Sequence, residues 1–205
     1  LQVLRQEEQN VLRSISERTR LLLAKKQEQQ ELKKLKEENE LKNEYLKKLL
    51  NSFFVEDKVF INKFRKHSAA KSVHHSFVGG LLQHTLRVTE LCDFYCQRYL
   101  NLQRDLLITG ALLHDIGKTK EIAGFPENEY TDEGNLLGHI AMGYSMVERR
   151  IEDIPAFPEK LANEVGHLIL SHHGELEYGS PKKPALIEAI ALNFADNTDA
   201  KLETM

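Results

Sequence analysis

The sequence has no tryptophan, only two cysteines and no long apolar run. Two cysteines are too few for a disulfide framework, so a small disulfide-stapled domain is excluded, and we expect Cys92 and Cys96 to be buried free thiols. No stretch approaches the roughly 18 consecutive apolar residues that a membrane-spanning helix needs. Leu1 leads directly into polar sequence without the apolar region of a secretory signal, and we therefore expect a cytoplasmic protein with no membrane partner.

An excess of charge of one sign is also missing. The chain has 28 Lys and Arg against 31 Asp and Glu, for a net charge of −3. This balance excludes a basic protein that coats nucleic acid along its whole surface, although a local basic groove remains compatible with it. The 205 residues are enough for one globular domain with an extension. Because the sequence does not begin with Met and stops at Met205 in a helical pattern, we expect a segment of a longer protein.

Glycine and proline are absent from the first 78 residues. The first 50 residues are dominated by Gln, Glu, Lys, Leu and Arg, which are good helix formers. Apolar residues such as Leu4, Val11, Ile15 and Leu22 follow a heptad-like spacing. This pattern predicts a long helical, coiled-coil-like arm over residues 1–52, through which the chain could form a homo-oligomer. Glutamates interleave with the lysines of this arm and weaken the alternative that it binds nucleic acid.

The second part of the chain, residues 53–205, has the composition of a compact domain. Apolar residues recur there with helical spacing, and no segment alternates with a period of two. The pattern therefore predicts an all-α helical bundle. The predicted helices cover about residues 53–64, 81–95, 103–116 with Gly117 as a C-cap, 135–152, 158–172 and 184–203.

Seven His and Asp residues lie on these predicted helices or at their ends, namely His84, His114, Asp115, His139, His172, His173 and Asp196. Imidazole and carboxylate groups together suit a divalent transition metal, and they favour Mn, Fe, Co or Ni over Mg. Seven ligands are too many for one ion. Adjacent helical residues point about 100° apart, so His114 and Asp115 cannot fill equivalent positions, but Asp115 could bridge two ions. Two metal ions can support a phosphoryl displacement without a protein nucleophile.

The stretch from Leu113 to Lys118, Leu-His-Asp-Ile-Gly-Lys, resembles the HD superfamily of metal-dependent phosphohydrolases. Residues 74–205, about two thirds of the chain, are similar more specifically to the HD domain of the YhaM-type 3′→5′ exoribonucleases. Five blocks in the same order carry this resemblance, at residues 74–81, 110–118, 130–140, 170–181 and 196–201.

The resemblance implies a role for each matching residue, and the sequence departs from the family at none of the seven metal positions. It implies two divalent metal ions. The ligands of the first are His84, His114, Asp115 and Asp196, and those of the second are His139, His172 and His173, with Asp115 as the bridge. Lys118 matches a family lysine that faces the substrate phosphate, where a cation would stabilise developing negative charge.

The resemblance further implies a phosphodiesterase, most similar to a 3′→5′ exonuclease acting on RNA or single-stranded DNA. A hydroxide activated by two metals would attack phosphorus, with Asp115 and Lys118 as catalytic residues. Two alternatives stay open: a phosphohydrolase of nucleotides or small phosphoesters, and a non-catalytic scaffold that senses a nucleotide. YhaM-type proteins carry an N-terminal OB-fold module, which residues 1–50 do not resemble, so that module lies outside this sequence or a helical arm replaces it.

Four further residues are candidates for minor roles. His75 lies in a family block and either contacts substrate or makes a structural hydrogen bond. Asp199 either orients a metal ligand or only balances local charge. His67 and His167 lie outside the family pattern and are expected to be structural.

Overall fold

The backbone is helical through most of the chain that is described. The computed structural model describes residues 43–71 and 77–203. Residues 43–51 are helical and continue into a π-helical turn, Ser52–Glu56. The α-helices that follow in these ranges are α1 (Lys58–Lys66), α2 (Gly80–Arg98), α3 (Arg104–Leu113), α4 (Lys118–Glu121), α5 (Asp132–Glu152), α6 (Glu159–Ser171) and α7 (Ile187–Leu202), with a 3-10 turn, Leu176–Tyr178, between the last two.

The predicted all-α class is confirmed. Within residues 43–71 and 77–203 there is no strand, only an isolated bridge between Ile122 and Tyr130. None of the helices in these ranges is both long and apolar enough to cross a membrane. The coiled-coil arm was predicted over residues 1–52, and its residues 1–42 lie outside the described residues, as does self-association through them.

The core lies between α2, α3, α6 and α7. Helix α2 packs against α3 and α7, and α3 also packs against α6 and α7. Side chains such as Leu107, Leu168 and Leu192 are completely buried there. Cys92 and Cys96 are free and buried on the inner side of α2, as predicted.

A cluster of phenylalanines joins the start of the compact unit to this core. The ring of Phe60 lies 5.2 Å from the ring of Phe53 and 5.6 Å from that of Phe64, measured between centroids. Leu46 and Leu49 belong to the same buried cluster. Compact packing therefore starts at about Glu44 and includes residues that precede the predicted boundary at residue 53.

Gly117 is required for a different reason from the predicted one. Helix α3 ends at Leu113, and Gly117 has a right-handed φ of −63°, so it is not a left-handed C-cap and that prediction is wrong. A Cβ on Gly117 would lie 2.0 Å from the carbonyl oxygen of His139 and 2.7 Å from the nitrogen of Gly143. Glycine is therefore needed because the turn after α3 touches the backbone of α5.

Helix α5 is bent where it reaches the predicted site. Its N-cap Thr131 accepts a hydrogen bond from the Gly134 backbone at 2.9 Å. Gly138 then has φ 72° and ψ 157°, a conformation open almost only to glycine, which interrupts the helix. The bend lets the backbone N–H of His139 donate to Glu121 Oε1 on α4 at 2.9 Å.

Candidate metal centre

The structure brings the seven predicted His and Asp residues together in one cluster. They come from five places in the fold: α2, the turn after α3, the bend of α5, the C-terminal end of α6, and α7. The predicted substrate residue His75 lies outside the described residues.

Asp115 lies at the centre of the cluster and is only 2% exposed. The ammonium of Lys118 lies 2.6 Å from Asp115 Oδ2 in an ion-pair contact. Neither carboxylate oxygen has a hydrogen-bond partner of ordinary geometry among the described residues. A buried carboxylate with so few donors is costly unless further positive charge reaches it.

The two oxygens of Asp115 face opposite sets of imidazoles. Oδ2 lies 3.4 Å from Nε2 of both His84 and His114. Oδ1 lies 3.5 Å from Nε2 of His139 and 3.7 Å from Nε2 of His172. Asp115 is thus placed between two sets of nitrogen donors.

Two groups of possible ligands lie on the two sides of Asp115. In each, one ligand atom per residue falls within 4.8 Å of the others. The first group is His84, His114 and Asp196, and the second group is His139, His172 and His173. In the first, His84 Nε2 lies 3.1 Å from Asp196 Oδ1 and 3.3 Å from His114 Nε2.

Three of the histidines are held by backbone carbonyls. The Nδ1 atoms lie 2.8 Å from the Ala111 oxygen for His114, 2.7 Å from the Ile169 oxygen for His172, and 2.9 Å from the Tyr178 oxygen for His173. A carbonyl oxygen can only accept, so each ring carries its proton on Nδ1. The Nε2 lone pairs are thereby left for the cluster, as in histidines that bind metals.

The other two histidines are held by carboxylates, one for each group. His84 Nδ1 lies 2.7 Å from Asp199 Oδ2, so Asp199 orients a candidate ligand, which is one of its two predicted roles. His139 Nδ1 lies 3.0 Å from Glu121 Oε1, the oxygen that also accepts from the His139 backbone. Glu121 was missed in the sequence, where its only signal is its position on α4 three residues after Lys118.

Electrostatics keeps the Asp115 carboxylate ionised and the rings of His172 and His173 neutral. Burial by itself raises the pKa of Asp115, but the nearby Lys118 ammonium holds it well below its usual range. Burial lowers the pKa of His172 well below its ordinary value, and that of His173 less strongly, so both rings are neutral. His84 is the exception, because its hydrogen bonds to carboxylates overcome burial and raise its pKa to about 11.

The cluster opens into a cavity of about 650 Å³. Lys118 forms part of its wall with a side chain that is 14% exposed. The lining also includes His139 and Asp196, one member of each group. A phosphate ester in this cavity could therefore reach both groups and the Lys118 ammonium.

His67 and His167 make structural contacts, as expected. The ring nitrogens of His67 lie 2.9 Å from the Ser68 oxygen and 3.1 Å from the Ile122 oxygen. His167 Nε2 accepts a hydrogen bond from the Ala185 backbone at 2.9 Å.

The donor set fits divalent metal ions. Oδ1 of Asp115, and Nε2 of His139 and of His172, are buried without hydrogen-bond partners in the described part of the chain, and Oδ2 of Asp115 has the ion-pair contact with Lys118. A divalent cation on each side of Asp115 would satisfy all of these atoms together. The chain therefore carries candidate metal-binding groups made of imidazole and carboxylate.

Comparison with known families identifies the class of this domain. The model of the HD domain family matches residues 81–201, which is more than half of the chain. The chain therefore belongs to the HD domain family, and the resemblance seen in the sequence is confirmed.

Within this family, the chain is similar to proteins that are named 3′-5′ exoribonucleases. The chain is 43% identical over 143 residues to the 3′-5′ exoribonuclease YhaM of Bacillus subtilis (strain 168). The matched segment is 70% of this chain and 45% of that protein. It is 40% identical over 148 residues to the protein of the same name from Bacillus pumilus (strain SAFR-032), a match that covers 72% of this chain and 47% of that protein. The chain thus spans about half the length of the curated relatives it matches. A comparison with solved structures gave no significant match.

Proposed function

We propose that this domain is a divalent-metal-dependent phosphodiesterase that shortens RNA or single-stranded DNA from the 3′ end in the cytoplasm. The observation that carries the proposal is Asp115, a buried carboxylate whose two oxygens face opposite groups of imidazole nitrogens beside a lysine. The names of the relatives support the nuclease activity and its 3′→5′ direction.

Two transition-metal ions would be held here. His84, His114 and Asp196 would bind one, the second group would bind the other, and Asp115 would bridge them. Ligation rich in histidine favours Mn, Fe, Co or Ni over Mg. When bound, such ions supply Lewis acidity and make a water molecule nucleophilic at neutral pH.

The protein's own residues would prepare the site for a phosphate. The Lys118 ammonium lies at the cavity wall, where it would neutralise charge that develops on the phosphoryl oxygens. Asp199 and Glu121 fix two of the imidazole rings, so the donors do not have to reorganise when a ligand binds. Burial keeps Asp115 and His172 away from bulk water, which strengthens their electrostatic interactions.

The two alternatives from the sequence are less well supported. The relatives' names concern nucleic acid rather than mononucleotides. A non-catalytic scaffold does not need a complete ligand set beside a lysine in an open cavity.

The test is hydrolysis of a 5′-labelled single-stranded RNA by the full chain with added Mn²⁺, resolved on a gel. We expect a ladder that shortens from the 3′ end. Asp115→Asn keeps the side-chain shape but removes the negative charge, and it should lower the rate by more than the roughly 10–100-fold that loss of an outer hydrogen-bond partner costs. Asp132→Asn, at an exposed residue at the start of α5, is the matched control and should keep full activity. Full activity of Asp115→Asn contradicts the proposal.

A further inference from the structure

The wall of the metal cavity carries a second set of side chains that the proposed metal chemistry does not use. Tyr130, Tyr178, Asn197 and Lys201 all line this cavity. They combine aromatic faces, an amide and a cation, which are the groups that proteins use to hold a nucleotide. These four side chains are therefore candidates for binding the substrate and not a metal.

Helix α7 sets the distance between the metal centre and Lys201. Asp196 and Lys201 are five residues apart, so Lys201 lies about 7.5 Å further along the helix axis. Asn197 and Lys201 are four residues apart and share one face of α7, the face that lines the cavity. An extended single strand entering the cavity along this face would bring a second phosphate near Lys201 while the first lies at the metal centre.

Lys201 is available for such a phosphate. Lys118, the lysine deeper in the cavity, already contacts Asp115. Lys201 is exposed and forms no ion pair with any residue of the described ranges. Asn197 is half-buried in the same wall, and its amide can reach a sugar or phosphate oxygen from there.

The two tyrosines have backbones fixed by contacts and side chains that are exposed to solvent. The backbone oxygen of Tyr178 lies 2.9 Å from His173 Nδ1, and Tyr130 forms the isolated bridge to Ile122. Yet Tyr130 is 48% exposed and Tyr178 is 67% exposed. Rings held at the mouth of a cavity but left open to solvent are suited to stacking against bases.

We infer that this wall is a subsite for the nucleotide next to the scissile bond, in which Lys201 and Asn197 bind its phosphate and sugar and the tyrosines stack on bases. The inference rests on the proposed phosphodiesterase function and adds a second recognition point to it. It follows that the site discriminates by length, because a phosphodiester that ends at the metal centre cannot contact Lys201.

The experiment compares Lys201→Met and Tyr178→Leu with the unmodified chain on two substrates in Mn²⁺. One is a single-stranded oligoribonucleotide and the other is methyl p-nitrophenyl phosphate, a diester too short to reach Lys201. Each variant should lower kcat/KM for the oligonucleotide about tenfold, mainly through KM, and leave the small diester unchanged. Lys66→Met, at an exposed lysine of α1 outside the cavity, is the matched control and should change neither rate.

The outcomes separate the inference from the proposed function. Equal losses on both substrates, or no loss on the oligonucleotide, overturn the subsite. An unmodified chain that binds Mn²⁺ but hydrolyses neither substrate overturns the proposed function instead. The subsite is then tested by oligonucleotide binding in fluorescence anisotropy, where Lys201→Met should weaken binding about tenfold and unchanged binding overturns it.

Discussion

At the scale of single residues, the candidate centre depends on groups that are not themselves candidate metal ligands. A metal-binding imidazole must present one nitrogen and fix the other, and its affinity drops when the fixing partner is removed. Asp199 and Glu121 serve His84 and His139 in this way, one on each side of Asp115. The two carboxylates should therefore affect two different metal positions.

Replacing these carboxylates should lower metal affinity selectively. Asp199→Ala should weaken binding at the first group and Glu121→Ala at the second, each by roughly 10–100-fold, because a freed ring loses its fixed orientation. Mn²⁺ titration calorimetry on the metal-free chain measures this as one weakened site and one retained site. Glu133→Ala, at an exposed glutamate of α5, is the control. Equal weakening of both sites by both variants would contradict the division into two groups.

The sequence predicted the members of the cluster, but it did not show which residues hold their imidazole rings in place. The seven positions could be read because their residue types and order match a family pattern. Glu121 could not be found in this way, because its contact with His139 depends on the bend at Gly138, which is a tertiary feature. Asp199 could be suspected, since helical spacing places it one turn from Asp196, but only the 2.7 Å contact selects between its two predicted roles.

At the scale of helices and turns, the site depends on one close backbone contact. The turn that carries His114 and Asp115 is pressed against α5 at Gly117. The same contact fixes the position of His139 relative to Asp115. A side chain at residue 117 would therefore disturb both the packing and the metal centre.

Gly117→Ala should destabilise the fold by about 1–3 kcal/mol, because its Cβ would overlap the His139 carbonyl oxygen and the backbones must separate. Urea unfolding measures this loss in the metal-free chain. Gly124→Ala is the matched control, since a Cβ there meets nothing within 4 Å, and it should be close to neutral. Equal stability of the two variants would show that the turn can move away from α5 at little cost.

The start of α1 should make stability dependent on pH. Asp57 caps this helix by accepting from the Phe60 backbone at 2.9 Å, and this hydrogen bond, assisted by Arg150, lowers its pKa below 3.8. A carboxyl with a lowered folded-state pKa contributes stability above its unfolded pKa, and this contribution is lost as pH falls through the folded-state value.

We therefore expect Asp57→Ala to lower the free energy of unfolding by about 1 kcal/mol at pH 7, as substitutions of other N-caps do. The loss should become smaller as the pH falls through the folded-state pKa of Asp57. Urea unfolding of the variant and of the unmodified chain at pH 7 and pH 3 gives both differences. Glu56→Ala, at the exposed neighbouring residue, should show no such change. A stability difference that stays the same at both pH values would contradict this account of the cap.

Helix existence could be predicted more easily than helix ends. Apolar spacing indicated the helices of nine or more residues, because burial of one face dominates that pattern. The short α4 was not predicted and lies where the sequence pattern had suggested a loop. The end of α3 at Leu113 instead of residue 116 could not be read, because it is set by contact of the following turn with α5.

At the scale of the whole molecule, the candidate ligands join distant parts of the chain. His84 and Asp196 are separated by 112 positions in the sequence, and α2 packs directly against α7. A metal ion bound to both would hold these helices together. Metal binding should therefore stabilise the entire fold and not only the cavity.

We expect Mn²⁺ to raise the melting temperature, by an amount that increases with pH. At about 100 times the Kd a ligand stabilises by about 2.7 kcal/mol. Without metal, the His84 pKa of about 11 keeps this ring protonated at neutral pH, and its contribution to stability is lost only as pH rises through that value. The ion must displace this proton, so its affinity should increase by up to about tenfold for each unit of pH.

Thermal unfolding with and without Mn²⁺ at pH 6 and pH 8 measures this effect. Asp115→Asn provides the control, because loss of the central negative charge should remove most of the stabilisation. A larger stabilisation at pH 6 than at pH 8 would contradict proton displacement from the cluster.

The central claim is that Asp115 lies between two metal ions, and anomalous X-ray scattering from crystals grown with Mn²⁺ tests it most directly. Data collected at the manganese edge should show two peaks, one beside Oδ2 among His84, His114 and Asp196, and one beside Oδ1 among the second group. A single peak, or manganese bound away from Asp115, would contradict the account.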